Sequence, residues 1–463
     1  MIEIKEDQLE HILDRAIQSI SSDDVLQLVS ITKSINKTDP LTFFDGVKTL
    51  KKDRIFWTST TDEFCLAGVG SAYEISADEA RFEITEDRWN SLLDEAIIYN
   101  PYQVPGTGVV ALGGMAFDPK KKQTALWKKF KPSQFTIPEY MLTKNENSYY
   151  FTVNIVVKKD DHPVQLAKGI MEAEAVIFSN QTSASGNAAI SKKKEIKPEQ
   201  WKETVRQATE EIREKQTEKI VLAREMRLKF NKHAEIGQII KNLMDTQSNS
   251  YVFAFEKGED CFVGATPERL VKLENEHLLS TCLAGTAPRG ATPAEDKKIS
   301  NDLLHDDKNR QEHDFVVEMI KQSIKKYCTD INIPEEPVIY PLKNLQHLYT
   351  PVTAILKNSY SIFDIIKQLH PTPALGGTPK KEAMEFIREH ELLDRGWYGA
   401  PVGWLDSNKN GEFAVAIRSG LIQGNEASLF AGCGVVKNSN PEAEYEETNI
   451  KFLPMLSVLG GQA

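Results

Sequence analysis

Short stretches of β-branched and aromatic residues, broken repeatedly by turn formers, constrain this chain more than any other feature. Ile55-Phe56-Trp57, Phe64-Cys65-Leu66-Ala67-Gly68 and Gly108-Val109-Val110-Ala111-Leu112-Gly113-Gly114 are examples, and Tyr149 to Val157 is a longer one. Each is short for a helix and has the residue types of a strand. Many short strands imply a broad, largely antiparallel sheet. Helical periodicity separates them. Leu9, Ile12, Leu13 and Ala16 predict a helix from Glu6 to about Ile35. Pro198 opens another, with Trp201, Val205, Ala208 and Ile212 on one face, and a long one is expected from Lys298 to Tyr327. From Cys261 onward strands, glycine turns and helices alternate irregularly, which is α+β texture and not a doubly wound βαβ rhythm. The sequence has no P-loop, no G-x-G-x-x-G after a strand and no repeat at solenoid periods.

A chain of 463 residues can form roughly two to four ordinary domains or one large enzyme core. Its 67 acidic and 56 basic side chains give a net charge of −11, which disfavours affinity built on nucleic-acid phosphates. Cys65, Cys261, Cys282, Cys328 and Cys433 are far apart and form no C-x-x-C pair, so reduced thiols in a cytoplasm are expected, not a disulfide framework or a zinc site. The start, MIEIKEDQLEHILDRAI, lacks a signal peptide's apolar core, and no apolar run reaches membrane-spanning length. The clearest composition break, NQTSASGNAAISKKK from Asn180 to Lys194, reads as a surface loop or linker between residues 1–180 and 195–463.

Several patterns place charge where packing would prefer carbon. Lys219 starts the apolar strand Lys219 to Arg224, and alternation puts it on one face with Val221 and Ala223. Desolvation there would lower its pKa and make it a usable general base; a strand-end lysine reaching water fits the same position. In Gly264-Ala265-Thr266-Pro267-Glu268-Arg269 a rigid turn presents Glu268, which a surface turn would also explain. Glu312 and His313 extend by one turn an apolar stripe of Phe315, Val316, Met319, Ile320 and Ile324. Ser439-Asn440-Pro441-Glu442 has capping-box spacing, and the helix it starts carries Glu444, Glu447 and Lys451 along one face. Two carboxylates three residues apart suit Mg²⁺, which binds few side chains and keeps waters; a solvated acidic helix is the alternative. Arg418 closes an apolar strand, placed for a bidentate pair with a carboxylate. His347 and His370 lack metal-ligand spacing, so ordinary hydrogen-bonded roles are expected of them.

In order along the chain, KIVLAR (219–224), GATPERL (264–270), LAGTAPRG (283–290), KNRQEH (308–313), LQHLYT (345–350), LHPTPALGGTP (369–379), RGWYGAPVGW (395–404), AIRSG (416–420) and AGCGVVKNSNPEAEYEETNIK (431–451) resemble the chorismate-utilising enzymes. That family includes isochorismate synthase, salicylate synthase, anthranilate synthase component I and aminodeoxychorismate synthase. Ammonia-adding members carry Gln where this chain has Lys219, and aminodeoxychorismate synthases carry Lys where it has Ala284. Ala374 stands where salicylate synthases tend to have Thr, while Tyr398 does not discriminate. GGMAFD (113–118) resembles the longer, menaquinone-pathway isochorismate synthases, and the LLES-type tryptophan signature is absent near the N-terminus.

The resemblance implies a Mg²⁺-dependent isochorismate synthase, with a salicylate synthase or a siderophore-pathway isochorismate synthase as alternatives. It implies an α+β fold like that of anthranilate synthase component I: two large antiparallel sheets packed together, helices outside, the site between them, and residues 1–180 co-folded with a catalytic region at 195–463. Lys219 would deprotonate the water that attacks C2 of chorismate, and Glu268 would protonate the departing C4 hydroxyl. These roles require a neutral lysine and a protonated glutamate, hence opposite pKa shifts. Glu312 and Glu447 would bind Mg²⁺ directly, with Glu444 in support. Arg418 and Tyr398 would hold the enolpyruvyl carboxylate. Backbone at Gly285, Thr286 and Gly432, with Lys451, would complete the anion site, and His347 and Ala374 would also line the substrate. Asn309 departs from the family pattern, which has an acid there. No nucleic acid, membrane or glutamine amidotransferase subunit is expected as a partner, and the chain is expected to be a monomer or weak dimer.

Overall fold

The computed structural model describes residues 6–22, 26–61, 63–179, 186, 188–215, 217–342 and 345–460. Its strands form a 13-stranded and a 10-stranded sheet. The larger runs in the order Ile190–Glu195, Lys219–Phe230, Glu426–Val435, Ser419–Gln423, Asp260–Thr266, Tyr251–Lys257, Arg54–Ser59, Phe64–Val69, Tyr140–Asn145, Ser148–Val157, Gln27–Ser34, Ile97–Tyr99, with Gly377–Thr378 added beside Lys219–Phe230. The smaller runs Cys328–Asn332, Leu345–Leu356, His277–Pro288, Arg269–Glu274, Gly411–Val415, Pro401–Asp406, Val110–Met115, Ser133–Ile137, Tyr73–Ala77, with Val338–Pro341 added beside Leu345–Leu356. Neighbouring strands are antiparallel throughout the described residues, except that Gln27–Ser34 and Ile97–Tyr99 run parallel. Early and late segments pair directly: Arg54–Ser59 with Tyr251–Lys257, and Val110–Met115 with Pro401–Asp406.

The sheets face each other across an aromatic core. Phe253, Phe255, Phe262 and Phe430 from the larger sheet and Val110, Leu112, Val402 and Trp404 from the smaller meet Trp127, Phe130 and Trp397 of the connecting loops. Outside the larger sheet lie Glu6–Ser19, Pro40–Gly46, Pro163–Ser179, Ile236–Thr246 and Pro441–Val458; outside the smaller lie Arg81–Glu95, Asp307–Ile324 and Ile362–Leu369. This is the α+β architecture of two packed antiparallel sheets with helices outside. No helix among the described residues is long and apolar enough to cross a membrane.

Local expectations needed correction in five places. The first helix ends at Ser19, and Gln27–Ser34 is a strand. Its Val29, Ile31 and Thr32 fit helical spacing, but β-branched side chains lose less on a pleated surface buried on both faces. The helix expected from Lys298 to Tyr327 is two, Pro293–His305 and Asp307–Ile324, because Asp306 turns extended and caps the second by accepting the Asn309 N–H. In that second helix Phe315 is 47% exposed, so it does not join the apolar stripe. The last helix is capped by Asn440, which accepts from Glu442 and Ala443 N–H, while Ser439 Oγ accepts from Val436 N–H. Ile190–Glu195, the end of the expected linker, is an edge strand on Lys219–Phe230; residues 180–185 and 187 lie outside the described ones.

Lys219–Phe230 has one long neighbour, Glu426–Val435, but its other edge is covered only near its two ends, by Gly377–Thr378 and Ile190–Glu195. Between them the backbone is satisfied by a loop and by side chains. Val221 N–H donates to Gly376 O at 3.1 Å, Arg395 Nη2 to Val221 O at 2.7 Å, Ala223 N–H to Glu391 Oε2 at 2.7 Å and Trp201 Nε1 to Ala223 O at 3.1 Å. Arg395 and Glu391 are paired bidentately, with side chains 2% and 1% exposed. Arg395→Met should therefore destabilise the fold by about 3–5 kcal/mol in urea denaturation, since it leaves Glu391 buried and unpaired. Adding Glu391→Leu should recover little, because the strand's own N–H and C=O would stay unpaired.

Candidate active site

Two links between the sheets build the site. Pro267 and Glu268 join Asp260–Thr266 of the larger sheet to Arg269–Glu274 of the smaller, and Ala416 to Arg418 return from Gly411–Val415 to Ser419–Gln423. Each link is bonded to the strand that leads into the other: Ala265 N–H donates to Arg418 O at 3.1 Å, and Val415 N–H to Glu268 O at 2.9 Å. Arg418 is held there with φ 51°, a left-handed conformation that costs a non-glycine residue energy and recurs at functional sites. Its half-buried guanidinium has no hydrogen-bonding side-chain partner among the described residues. Burial lowers its pKa against the charges of Tyr398, Glu268 and Glu447, which place those groups around it.

Burial pushes the Glu268 carboxyl up to about 7, although Arg418 and the Thr372 hydroxyl both favour its ionised form. Thr372 Oγ1 is itself buried and meets hydrogen-bonding geometry with no described residue. Glu268 and Thr372 share a cavity with Leu283, Ala284, Val316 and Ala374. The two alanines singled out in the sequence thus face the same space as the acid.

Lys219 lies at the other edge of the site. Its ammonium is 3.1 Å from Glu312 Oε1 and its side chain is 25% exposed. A Cβ on Gly434, on the neighbouring strand, would lie 2.6 Å from Lys219 Cε, so a larger residue there would push the lysine side chain aside. Alternation along the strand holds: Ala223 enters the inter-sheet core while Ile220 and Leu222 pack toward the helices. Glu312 is carried by a helix fastened through His313, fully buried at 0% exposure, whose Nδ1 meets Ala284 O at 3.0 Å and whose Nε2 meets Thr350 Oγ1 at 2.7 Å.

A third group comes from the last helix. Lys451 Nζ donates to Glu447 Oε1 at 2.6 Å and to Gly432 O at 2.9 Å. Glu444 Oε2 is buried without a hydrogen-bond partner among the described residues. Burial, then the charge of Glu444, raises the neighbouring Cys433 thiol. His347 Nδ1 bonds Thr286 Oγ1 at 2.9 Å, and burial with the charges of Arg418 and Lys451 pushes the imidazole down to about 4, so it is neutral near pH 7. Thr286 N–H is already engaged by Asn309 Oδ1 at 3.2 Å. Gly285 adopts φ +77° in a β-bulge beside it. Tyr398 is buried against Phe430, its hydroxyl pushed up to about 12 by burial.

Glu312 thus meets Lys219, Glu447 meets Lys451, and Glu268 lies beside Arg418. Among the described residues no three His, Cys, Asp or Glu side chains converge as a ready metal-ligating group. Sequence reasoning did not single out Thr372, Glu391, Arg395 or the clearance at Gly434. Thr372 and Arg395 lay in recognised motifs but had no pattern of their own, and Glu391 lay outside those motifs.

An α+β pair of packed antiparallel sheets, with an acid and a guanidinium on the links between them, defines the class of protein. The chain matches the chorismate binding enzyme family over residues 15–460 and belongs to it. It is 41% identical to isochorismate synthase MenF of Bacillus subtilis over 94% of either chain. It is 32% identical to the salicylate biosynthesis isochorismate synthase of Pseudomonas aeruginosa over 97% of this chain and 94% of that one. The structure of MenF, the menaquinone-specific isochorismate synthase of Escherichia coli, superposes with a TM-score of 0.79, covering 98% of this chain and 100% of that one at 23% identity, a likeness of fold.

The raised pKa of Glu268 has a consequence for stability. A folded value of about 7 against an ordinary 4.5 means that stability is fully present below 4.5 and lost as pH rises through 7. Glu268→Gln, uncharged throughout, should melt with the parent protein at about pH 4.5 and be more stable by about 1–3 kcal/mol at about pH 8. Equal melting at both values would remove the shift.

Proposed function

We propose that this protein is an isochorismate synthase that adds water at C2 of chorismate and expels the C4 hydroxyl, with Mg²⁺, in menaquinone biosynthesis. The observation that carries the reading is Glu268, a carboxyl that burial keeps protonated up to about pH 7 beside an unclaimed guanidinium. Hydroxide leaves poorly unless protonated, and Glu268 is an acid able to supply that proton near neutrality. Lys219 takes the proton from the attacking water, so the water gives one proton to the lysine and the leaving oxygen gains one from the glutamate. Arg418, with Tyr398 behind it, pairs with the enolpyruvyl carboxylate. Neutral His347 offers a hydrogen bond, and Lys451 a positive charge, on the other anionic side. The 41% identity to an isochorismate synthase along nearly the whole chain supports the same reading.

Mg²⁺ binds through one or two carboxylates and retains waters. Among the described residues Glu312 and Glu447 are each partnered by one lysine and Glu444 has a buried oxygen without a hydrogen-bond partner, which fits that modest requirement. When bound, the ion would neutralise a substrate carboxylate as a Lewis acid. Glu312 serves two purposes in this arrangement, since the carboxylate proposed for the metal is also the one that holds Lys219. Length does not separate the menaquinone pathway from salicylate biosynthesis, because the Pseudomonas relative named for the latter is covered as fully; the higher identity to MenF supports the former. A cytoplasmic monomer or weak dimer, without an amidotransferase subunit, completes the proposal.

Purified protein incubated with chorismate and Mg²⁺ should form isochorismate, followed by chromatography, without pyruvate. Stoichiometric pyruvate with fluorescent salicylate would assign a salicylate synthase instead, and no turnover at any Mg²⁺ concentration would reject catalysis. Lys219→Ala should abolish turnover with unchanged circular dichroism, and chelation should remove activity that added Mg²⁺ restores. The kcat/KM profile should fall as pH rises past about 7, where Glu268 loses its proton.

A further inference from the structure

The sequence placed Asn309 in the outer part of the site without a task, and the geometry gives it one. We infer that Asn309 is a positioning residue: its amide joins the Gly285–Thr286 bulge to the first turn of the Asp307–Ile324 helix, and so sets His347 on one side and Glu312 on the other. The inference rests on the chorismate reading above, because the groups it positions are those proposed to meet that substrate.

Both ends of the amide are in use. Nδ2 donates to Asp306 Oδ1 at 2.7 Å, and Oδ1 accepts the Thr286 N–H at 3.2 Å. The Asn309 main-chain N–H donates to the same Asp306 oxygen at 2.8 Å. These bonds hold the Asp306 carboxyl below the usual carboxylate range, so it is ionised at neutral pH. A side chain here must therefore give a donor to a carboxylate and an acceptor to an N–H within one short reach. Asparagine does both; aspartate would set a second negative charge against Asp306, and alanine would supply neither bond.

The joint connects two parts of the site. Thr286, held through its N–H by Asn309, holds His347 Nδ1 through its hydroxyl at 2.9 Å. The bulge touches the helix directly: a Cβ on Gly285 would lie 3.3 Å from both Cβ and O of Asn309, and the pairing with Leu345–Leu356 shifts register between Ala284 and Thr286. On the helix, Glu312 follows Asn309 by three residues and shares its face, with its carboxylate 3.1 Å from Lys219. Loss of the amide frees the bulge, and with it Thr286 and His347, to drift relative to the helix.

The test compares the parent with Asn309→Ala, Asn309→Asp and the double variant Asp306→Asn/Asn309→Asp, using KM and kcat for chorismate together with thermal melting. Asparagine caps a helix as well as aspartate does, so the double variant keeps the cap while restoring a donor facing an acceptor. Asn309→Ala and Asn309→Asp should raise KM roughly tenfold or more with melting shifted by only a few degrees, and the double variant should return to within about threefold of the parent. An Asn309→Ala enzyme within about twofold of the parent in both constants, or a double variant no better than Asn309→Asp, overturns the inference. If Asn309→Ala does not fold, the comparison of the two aspartate variants decides. A parent that does not turn over chorismate overturns the reading of function instead.

Discussion

The bidentate pair of Arg395 and Glu391 is the contact on which the site's geometry depends. Two charges with almost no exposure are not there for the ion pair alone, since an apolar pair of similar volume is often as stable. They are there because Lys219–Phe230 has a stretch of edge that no strand among the described residues covers. Gly377–Thr378 ends too early and Ile190–Glu195 starts too late. The carboxylate takes the Ala223 N–H, and the guanidinium takes Val221 O and Leu375 O. One side-chain pair therefore ties together the strand that carries Lys219, the loop that carries Thr372 and Ala374, and the loop that carries Tyr398.

With that edge closed, the rest of the site follows from topology. Neighbouring strands leave one sheet for the other at Glu268 and at Arg418, so the acid and the guanidinium come together where the sheets part. Backbone in such a link has no full ladder, and here each link accepts an N–H from the strand that leads into the other. The placement also resolves the charge balance of the molecule. A net charge of −11 would repel a dianionic substrate at long range, yet Arg418 and Lys451 border one cleft, and the local field governs what enters it.

Much of this was legible in the sequence, for identifiable reasons. Alternation placed Lys219 on a face of its strand, and helical spacing put Glu444, Glu447 and Lys451 on one side of the last helix. These are properties of single elements. The protonation of Glu268 was not legible in its local pattern, because it depends on burial by segments from distant parts of the chain, against Arg418 and Thr372, which favour the ionised form. Nor was the left-handed backbone of Arg418, since nothing local in AIRSG requires it. The break at Asp306 was missed because the apolar spacing runs through it, although an aspartate three residues before Asn309 is an ordinary helix start. Gln27–Ser34 misled for the opposite reason: its β-branched residues satisfy both periods, and only the sheet beside it decides.

The cavity beside Glu268 gives the small side chains at positions 284 and 374 a physical meaning. Both face the space occupied by the Glu268 carboxyl, whose pKa burial raises. A lysine at position 284 would bring an ammonium into that space. A positive charge there favours the ionised carboxylate and would pull the Glu268 pKa back down from about 7. Such a site could still bind an anion, but its carboxyl would give up its proton at a lower pH. Alanine at 284 thus does more than leave room: it keeps the only strong cation near Glu268, among the groups that shift it, as Arg418. That single guanidinium is insufficient to overcome the cost of burial. The balance between one cation and one desolvated carboxyl is what leaves a proton on Glu268 up to about pH 7.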